Sequence, residues 1–203
     1  EIKECDWSSD VCSSDLFQFQ AAIPVNFIDE HILRRLKQLS VNPSPECDDL
    51  TFLRRATLDL TGQLPSPQVA QAFLSDRSSH KRATLINDLL DSGAHADFWG
   101  QKWADLLRIE EKTLDRKGVE AFHAWVRNAI ATNRPFDEFV AEIVGSRGSS
   151  YSSPASNYYR AMRQTDMRAE SAAQLFLGIR LQCAKCHNHP FDQWTQDDYY
   201  GWR

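Results

Sequence analysis

From Asn26 onward, apolar residues recur every three or four positions, in short runs broken by proline and glycine, and no run alternates convincingly. That spacing restricts the chain to packed amphipathic helices. A 3.6-residue period gathers a stripe on one helix face, whereas a half-buried strand needs a period of two. Phe27, Ile28, Ile32, Leu36 and Leu39 form the first stripe, closed by Pro43 and Pro45. Leu50, Leu53, Ala56, Thr57 and Leu60 form the second, with Asp48 or Asp49 as its cap and Gly62 at its end. Ser66 suits an N-cap and Pro67 a first helical position for the third, which carries Val69, Ala70, Phe73 and Leu74. The fourth, His80 to Asp91, carries Leu85, Ile86, Leu89 and Leu90, and Gly93 is expected to close it.

Phe98, Trp99, Trp103, Leu106 and Leu107 give an aromatic face that reads either as ordinary core or as the wall of a cofactor pocket. Lys112 to Gly118 reads as a charged loop. Val119 to Asn133 is a helix with Phe122, Trp125, Val126, Ala129 and Ile130 inward. Pro135 opens a shorter one holding Phe136, Phe139, Val140 and Ile143. Gly145 to Asn157, rich in serine and glycine, reads as a flexible connector or a lid. A last helix is expected from Asp166 to Leu181, with Ala172, Leu175, Phe176 and Ile179 on one face. The fold class that follows is all-α, an irregular multi-helix domain with short connecting loops.

Residues 1–16 stand apart. They have neither period, and Cys5 to Leu16 resembles the conceptual translation of a sequencing adapter. Such a segment belongs outside fold reasoning. The folded part is then expected to be one helical domain over 17–203. Five acids and one base fall in the foreign stretch, so the formal charge of -5 becomes -1 for the rest, with 23 acids and 22 bases. No basic patch argues for nucleic acid. No apolar run reaches the roughly 20 residues needed to span a bilayer. Cys5 and Cys12 leave with the adapter, so Cys47, Cys183 and Cys186 remain, too few for a disulfide scaffold. The chain stops at Trp202-Arg203 within a young helix, as expected of a metagenomic fragment cut at both ends.

The densest chemistry lies between Leu181 and Trp194 and contains Cys183-Ala-Lys-Cys186-His187. Cys-x-x-Cys-His is the attachment pattern of c-type haem. Two thiols at this spacing can bond the two vinyl groups of one porphyrin, and the next residue can place an imidazole on the iron. Cys183, Cys186 and His187 are therefore the candidate haem-binding residues. Continuing the face of the preceding helix reaches Cys183, so the motif is expected to prolong a buried stripe. Met162 and Met167 are the candidate distal ligands, with His95 and His123 as further upstream possibilities. Asp192 and Trp194 are candidates for orienting the site. Zinc is the competing cofactor: Cys183, Cys186, His187 and His189 are four suitable donors within seven residues. A thiol redox pair or a local disulfide are the other readings of the two cysteines.

The chain also resembles a family of large planctomycete-type proteins that carry a cytochrome-like domain of unknown function. The resemblance rests on Leu53-Arg-Arg-Ala-Thr-Leu-Asp-Leu-Thr-Gly62 with Leu64-Pro65, on Asn133-Arg-Pro-Phe-Asp137, and on Leu175 to Trp194 with Asp198-Tyr-Tyr200. It spans about 27–200. It implies a secreted or periplasmic multidomain protein that binds haem at Cys183, Cys186 and His187. Its partners would be a redox protein or further domains of the full-length chain. The implied role is electron transfer, or a haem-linked redox step on an unknown substrate. The alternative is a non-catalytic interaction domain with zinc or a local disulfide at the same cluster. Arg108-Ile109-Glu110-Glu111 departs from the family pattern, where relatives tend to have Arg-Tyr.

Overall fold

The structure, a computed structural model, describes residues 18–20 and 22–203. The adapter-like stretch with Cys5 and Cys12 lies outside the described residues. Those described form ten α-helices joined by short turns, with no strand among them. The all-α expectation holds. The described residues divide into two compact units, one ending at Asp48 and the other spanning Asp49–Arg203.

The first unit contains α1 (Phe27–Gln38). Asn26 caps it by accepting from the Ile28 and Asp29 N–H groups, and the Asp29 carboxylate reaches back to the Asn26 N–H. None of its residues is buried, so the predicted stripe forms but stays exposed.

The second unit holds α2 (Asp49–Thr61), α3 (Pro67–Ser75), α4 (Lys81–Leu90), α5 (Gly93–Leu106), α6 (Arg116–Ala131), α7 (Phe136–Gly145), α8 (Asn157–Ala161), α9 (Thr165–Ala172) and α10 (Gln196–Trp202). Ser66 and Pro67 open α3 as their chemistry predicts. Asp49 does not act as a simple cap. Its carboxylate takes Lys81 at 2.7 Å and Arg82 at 2.8 Å, tying α2 to α4. Gly62 leaves α2 in the left-handed region (φ +68), and a Cβ there would lie 2.4 Å from the Phe98 ring. Only glycine fits both demands.

The main core gathers Leu107, Leu114, Phe122, Val126, Phe139, Ile143, Tyr158 and Met162, all nearly or fully buried. Aromatic rings fill its edge: Trp125 stacks on Phe139 at 5.0 Å, and Trp103 meets Phe139 edge-on at 5.5 Å. The aromatic face of α5 thus enters the core through Trp103 and Leu107.

Several predicted boundaries move. Gly93 begins α5 instead of closing α4, because Ser92 Oγ accepts from the His95 N–H and starts a new helix. The charged loop at 112–118 is shorter than expected. Leu114 is buried, and Asp115 caps α6 by accepting from the Gly118 N–H at 2.8 Å. The segment 146–156 is held, not loose. Ala155, Ser156 and Asn157 are buried, and Asn157 Nδ2 donates to the Ser150 and Pro154 carbonyls. Arg160 adds a donation to Ser150 Oγ and pairs with Asp115 at 2.7 Å.

Candidate functional site

The predicted last helix stops early. After α9 the chain takes one wide turn at Ala173–Leu177, with π-helical bonding. Gly178 then adopts a left-handed conformation (φ +69) and ends it. The motif follows on a separate 3₁₀ turn, Gln182–Lys185. The expected continuous buried stripe through Cys183 is therefore absent. On a 3₁₀ turn, residues three apart eclipse one another. Leu181 and Ala184 are such a pair, and both are buried in a small second core with Ala173 and Tyr199. Cys183 and Cys186 are the other pair, and both thiols are free and exposed. His187 is exposed beside them. The turn is thus anchored by its alanine and presents its reactive groups outward.

The two histidines differ in protonation pattern because their partners do. His187 Nδ1 lies 2.7 Å from the Asn188 carbonyl oxygen, which can only accept. The proton therefore sits on Nδ1, and Nε2 keeps its lone pair. At His189 the Phe191 N–H donates to Nδ1 at 3.3 Å. Its Nδ1 lone pair is used, and Nε2 carries the proton. The residue numbers predict four donors; the geometry leaves one of the two imidazoles ready to bind a metal.

The loop after the motif is closed on itself. The His189 N–H donates to the Trp194 carbonyl at 2.7 Å, leaving Phe191 almost wholly exposed at the tip. Asp192 does not orient His187, as expected from its type. Its carboxylate accepts from Trp194 Nε1 at 3.1 Å and from the Gln193 N–H at 2.8 Å. The Asn188 carbonyl takes the orienting role instead. Sequence alone gave no sign of this, because a carbonyl has no residue signature.

Thr195 and Asp198 form a capping box that starts α10. Gln196 ties α10 to the motif: its Nε2 donates to the Lys185 carbonyl at 3.0 Å, and its N–H to Asn188 Oδ1 at 3.2 Å. On the other side, Asp166 of α9 pairs with Lys185 at 2.8 Å and with Arg203 at 2.7 Å. The Lys185 hydrogen bond holds the Asp166 carboxyl below its ordinary range, and the same bond raises Lys185. Tyr199 donates to Glu170 at 2.8 Å, and burial followed by that bond pushes its phenol upward.

The two methionines are placed differently. Met162 is fully buried in the main core. Met167 is partly exposed, and its sulfur accepts from Arg108 Nη1 at 3.4 Å. Met167, Arg108 and Leu175 line a cavity of about 250 Å³ that also includes Gln182, the residue before Cys183. His95 lines a separate cavity, with Nδ1 2.9 Å from the Leu60 carbonyl, and His123 is half-buried on α6. Among the described residues, no three His, Cys, Asp or Glu side chains are grouped to hold a metal ion. No described helix is long and apolar enough to cross a membrane.

A family model matches residues 27–203, that of PSCyt2, a protein of unknown function (DUF1549). The chain belongs to the PSCyt2 family. The match takes in α1 to α10 and the whole Cys183–Trp194 segment. No curated protein and no solved structure matches the chain.

Proposed function

We propose that this PSCyt2 chain is a c-type haem-binding domain of a secreted or periplasmic protein of planctomycete type. Its role is electron transfer, or a haem-linked redox step on an unknown substrate. One observation carries the reading. Cys183, Cys186 and a His187 with its Nε2 lone pair free all stand outward from one turn, whose intervening Ala184 is buried. A covalently attached porphyrin needs two thiols and an imidazole nitrogen free to bind.

Cys183 and Cys186 would hold the haem through their thiols, and His187 would supply a nitrogen ligand. The Asn188 carbonyl fixes its tautomer, as acceptors behind ligating imidazoles do. Haem would bring one-electron chemistry to the site. Of the two methionines, Met167 is the one open to ligation, because Met162 is consumed by the core. Haem c attachment needs reduced thiols and a dedicated ligation machinery outside the cytoplasm, and the proposed location follows from that chemistry.

The zinc alternative requires His189 as well as His187. The Phe191 N–H occupies His189 Nδ1, so a fourth donor appears only if that bond breaks. Intact mass after expression with periplasmic haem-ligation machinery distinguishes the readings. The native chain gains one haem, Cys183→Ala or Cys186→Ala retains at most one thioether, and the double variant gains none. A native chain that comes out haem-free with one tightly held zinc contradicts the proposal.

A further inference from the structure

A second cavity, independent of the cysteine motif and of the haem reading, lies between α5, α6 and α7. Its volume is about 180 Å³ and it is half open to solvent. Trp103, Phe136 and Phe139 make its apolar wall, with ring centroids 5.5 to 6.3 Å apart and faces set at different angles. A guest ring is thereby offered both a face and an edge. An apolar cavity of about 150 Å³ is enough to hold benzene. The space therefore suits one six-membered ring with a small substituent.

The polar rim selects the substituent. His95 lines the cavity, and its Nδ1 lies 2.9 Å from the Leu60 carbonyl, which can only accept. The proton is on Nδ1, so Nε2 is an acceptor in need of a donor. Arg134, also on the rim, is already neutralised by Glu142 at 2.5 Å and Glu138 at 3.9 Å, and lies over the Trp125 ring. It offers no spare charge for an anion. The aromatic wall, the His95 Nε2, the exposed Asn133 amide and an Arg134 already paired with two carboxylates together favour an uncharged ring that carries a hydroxyl.

We propose that this cavity binds a single-ring phenol, seated against Trp103, Phe136 and Phe139, with its hydroxyl donating to His95 Nε2. Phenol and toluene are the probes, because they have the same heavy-atom count and differ only in that donor. Isothermal titration on the full chain is expected to show saturable phenol binding about fivefold tighter than toluene, the ratio one net hydrogen bond supplies. In His95→Phe, folded by circular dichroism, phenol loses that advantage while toluene binds as before. Ile130→Trp fills the cavity from its wall and abolishes binding of both. The proposal is overturned if phenol fails to saturate, if toluene binds the native chain as tightly, or if Ile130→Trp leaves phenol binding intact.

Discussion

His187 and His189 are two positions apart and chemically opposite, and the difference comes from backbone neighbours. A carbonyl beside His187 Nδ1 frees its Nε2; an N–H beside His189 Nδ1 blocks the equivalent use. His189→Ala is therefore expected to keep the optical spectrum of the haem-loaded chain, while His187→Ala loses the imidazole-ligated spectrum. Visible absorption of the two variants decides this. Matching spectra would remove the distinction. Cys183, Cys186 and His187 were legible as a unit because their spacing is itself the signal. The orienting partner was not legible. Asp192 has the right residue type, yet its carboxylate is bound to Trp194 and to the next N–H. Gly62 was legible as a helix stop, but not the Phe98 ring packed against it. Gly62→Ala should cost at least about 1–2 kcal/mol from the left-handed backbone alone, with more from the 2.4 Å approach to Phe98. Urea denaturation measures it, and an unchanged midpoint would contradict the geometry.

At the scale of elements, the amphipathic spacing located every long helix from α1 to α7. It failed where a cap outranked the stripe. Ser92 starts α5 one residue before the glycine expected to end α4, and Asp115 starts α6 within the expected charged loop. It failed again at the motif, where Ala172, Leu175, Phe176 and Ile179 suggest a helix running to Leu181. The left-handed Gly178 breaks that run and lets a 3₁₀ turn reset the phase. The reset turns Ala184 inward and the cysteines outward. Ala184→Leu tests this without touching a thiol or an imidazole. Overpacking a fully buried alanine should destabilise the chain by about 1–3 kcal/mol and lower the yield of covalent haem. Denaturation and haem staining report the two effects. A variant as stable as the native chain would mean that Ala184 faces solvent.

Across the molecule, one aromatic-rich core carries the second unit while the motif rests on a smaller core of its own. Phe122→Ala should cost about 3–5 kcal/mol, as for other large buried aromatics. The site is coupled to the rest mainly through ion pairs and polar ties: Asp166 with Lys185 and Arg203, Tyr199 with Glu170, and Gln196 with the motif backbone. The carboxyls of Asp49, Asp115, Asp166 and Asp198 are all held below their ordinary range, each chiefly by hydrogen bonds to the charged form. A depressed carboxyl contributes stability that is complete above its unfolded pKa of about 3.9 and fades as pH falls through the folded value. Lys185 and Tyr199 are raised, so their contributions are complete below their unfolded pKa values of about 10 and fade as pH climbs above them. Thermal melts should therefore be level across neutral pH and fall off below about pH 4 and above about pH 10. A steep change between those limits would contradict this charge arrangement. Whether the outward face of the Gln182–Lys185 turn carries haem, as proposed, is read from a pyridine haemochrome spectrum of the native chain expressed with haem-ligation machinery in a periplasm. The bands expected are those of haem with both vinyl groups saturated, at one haem per chain. Absence of covalent haem from folded protein whose thiols are reduced and accessible would contradict the proposal.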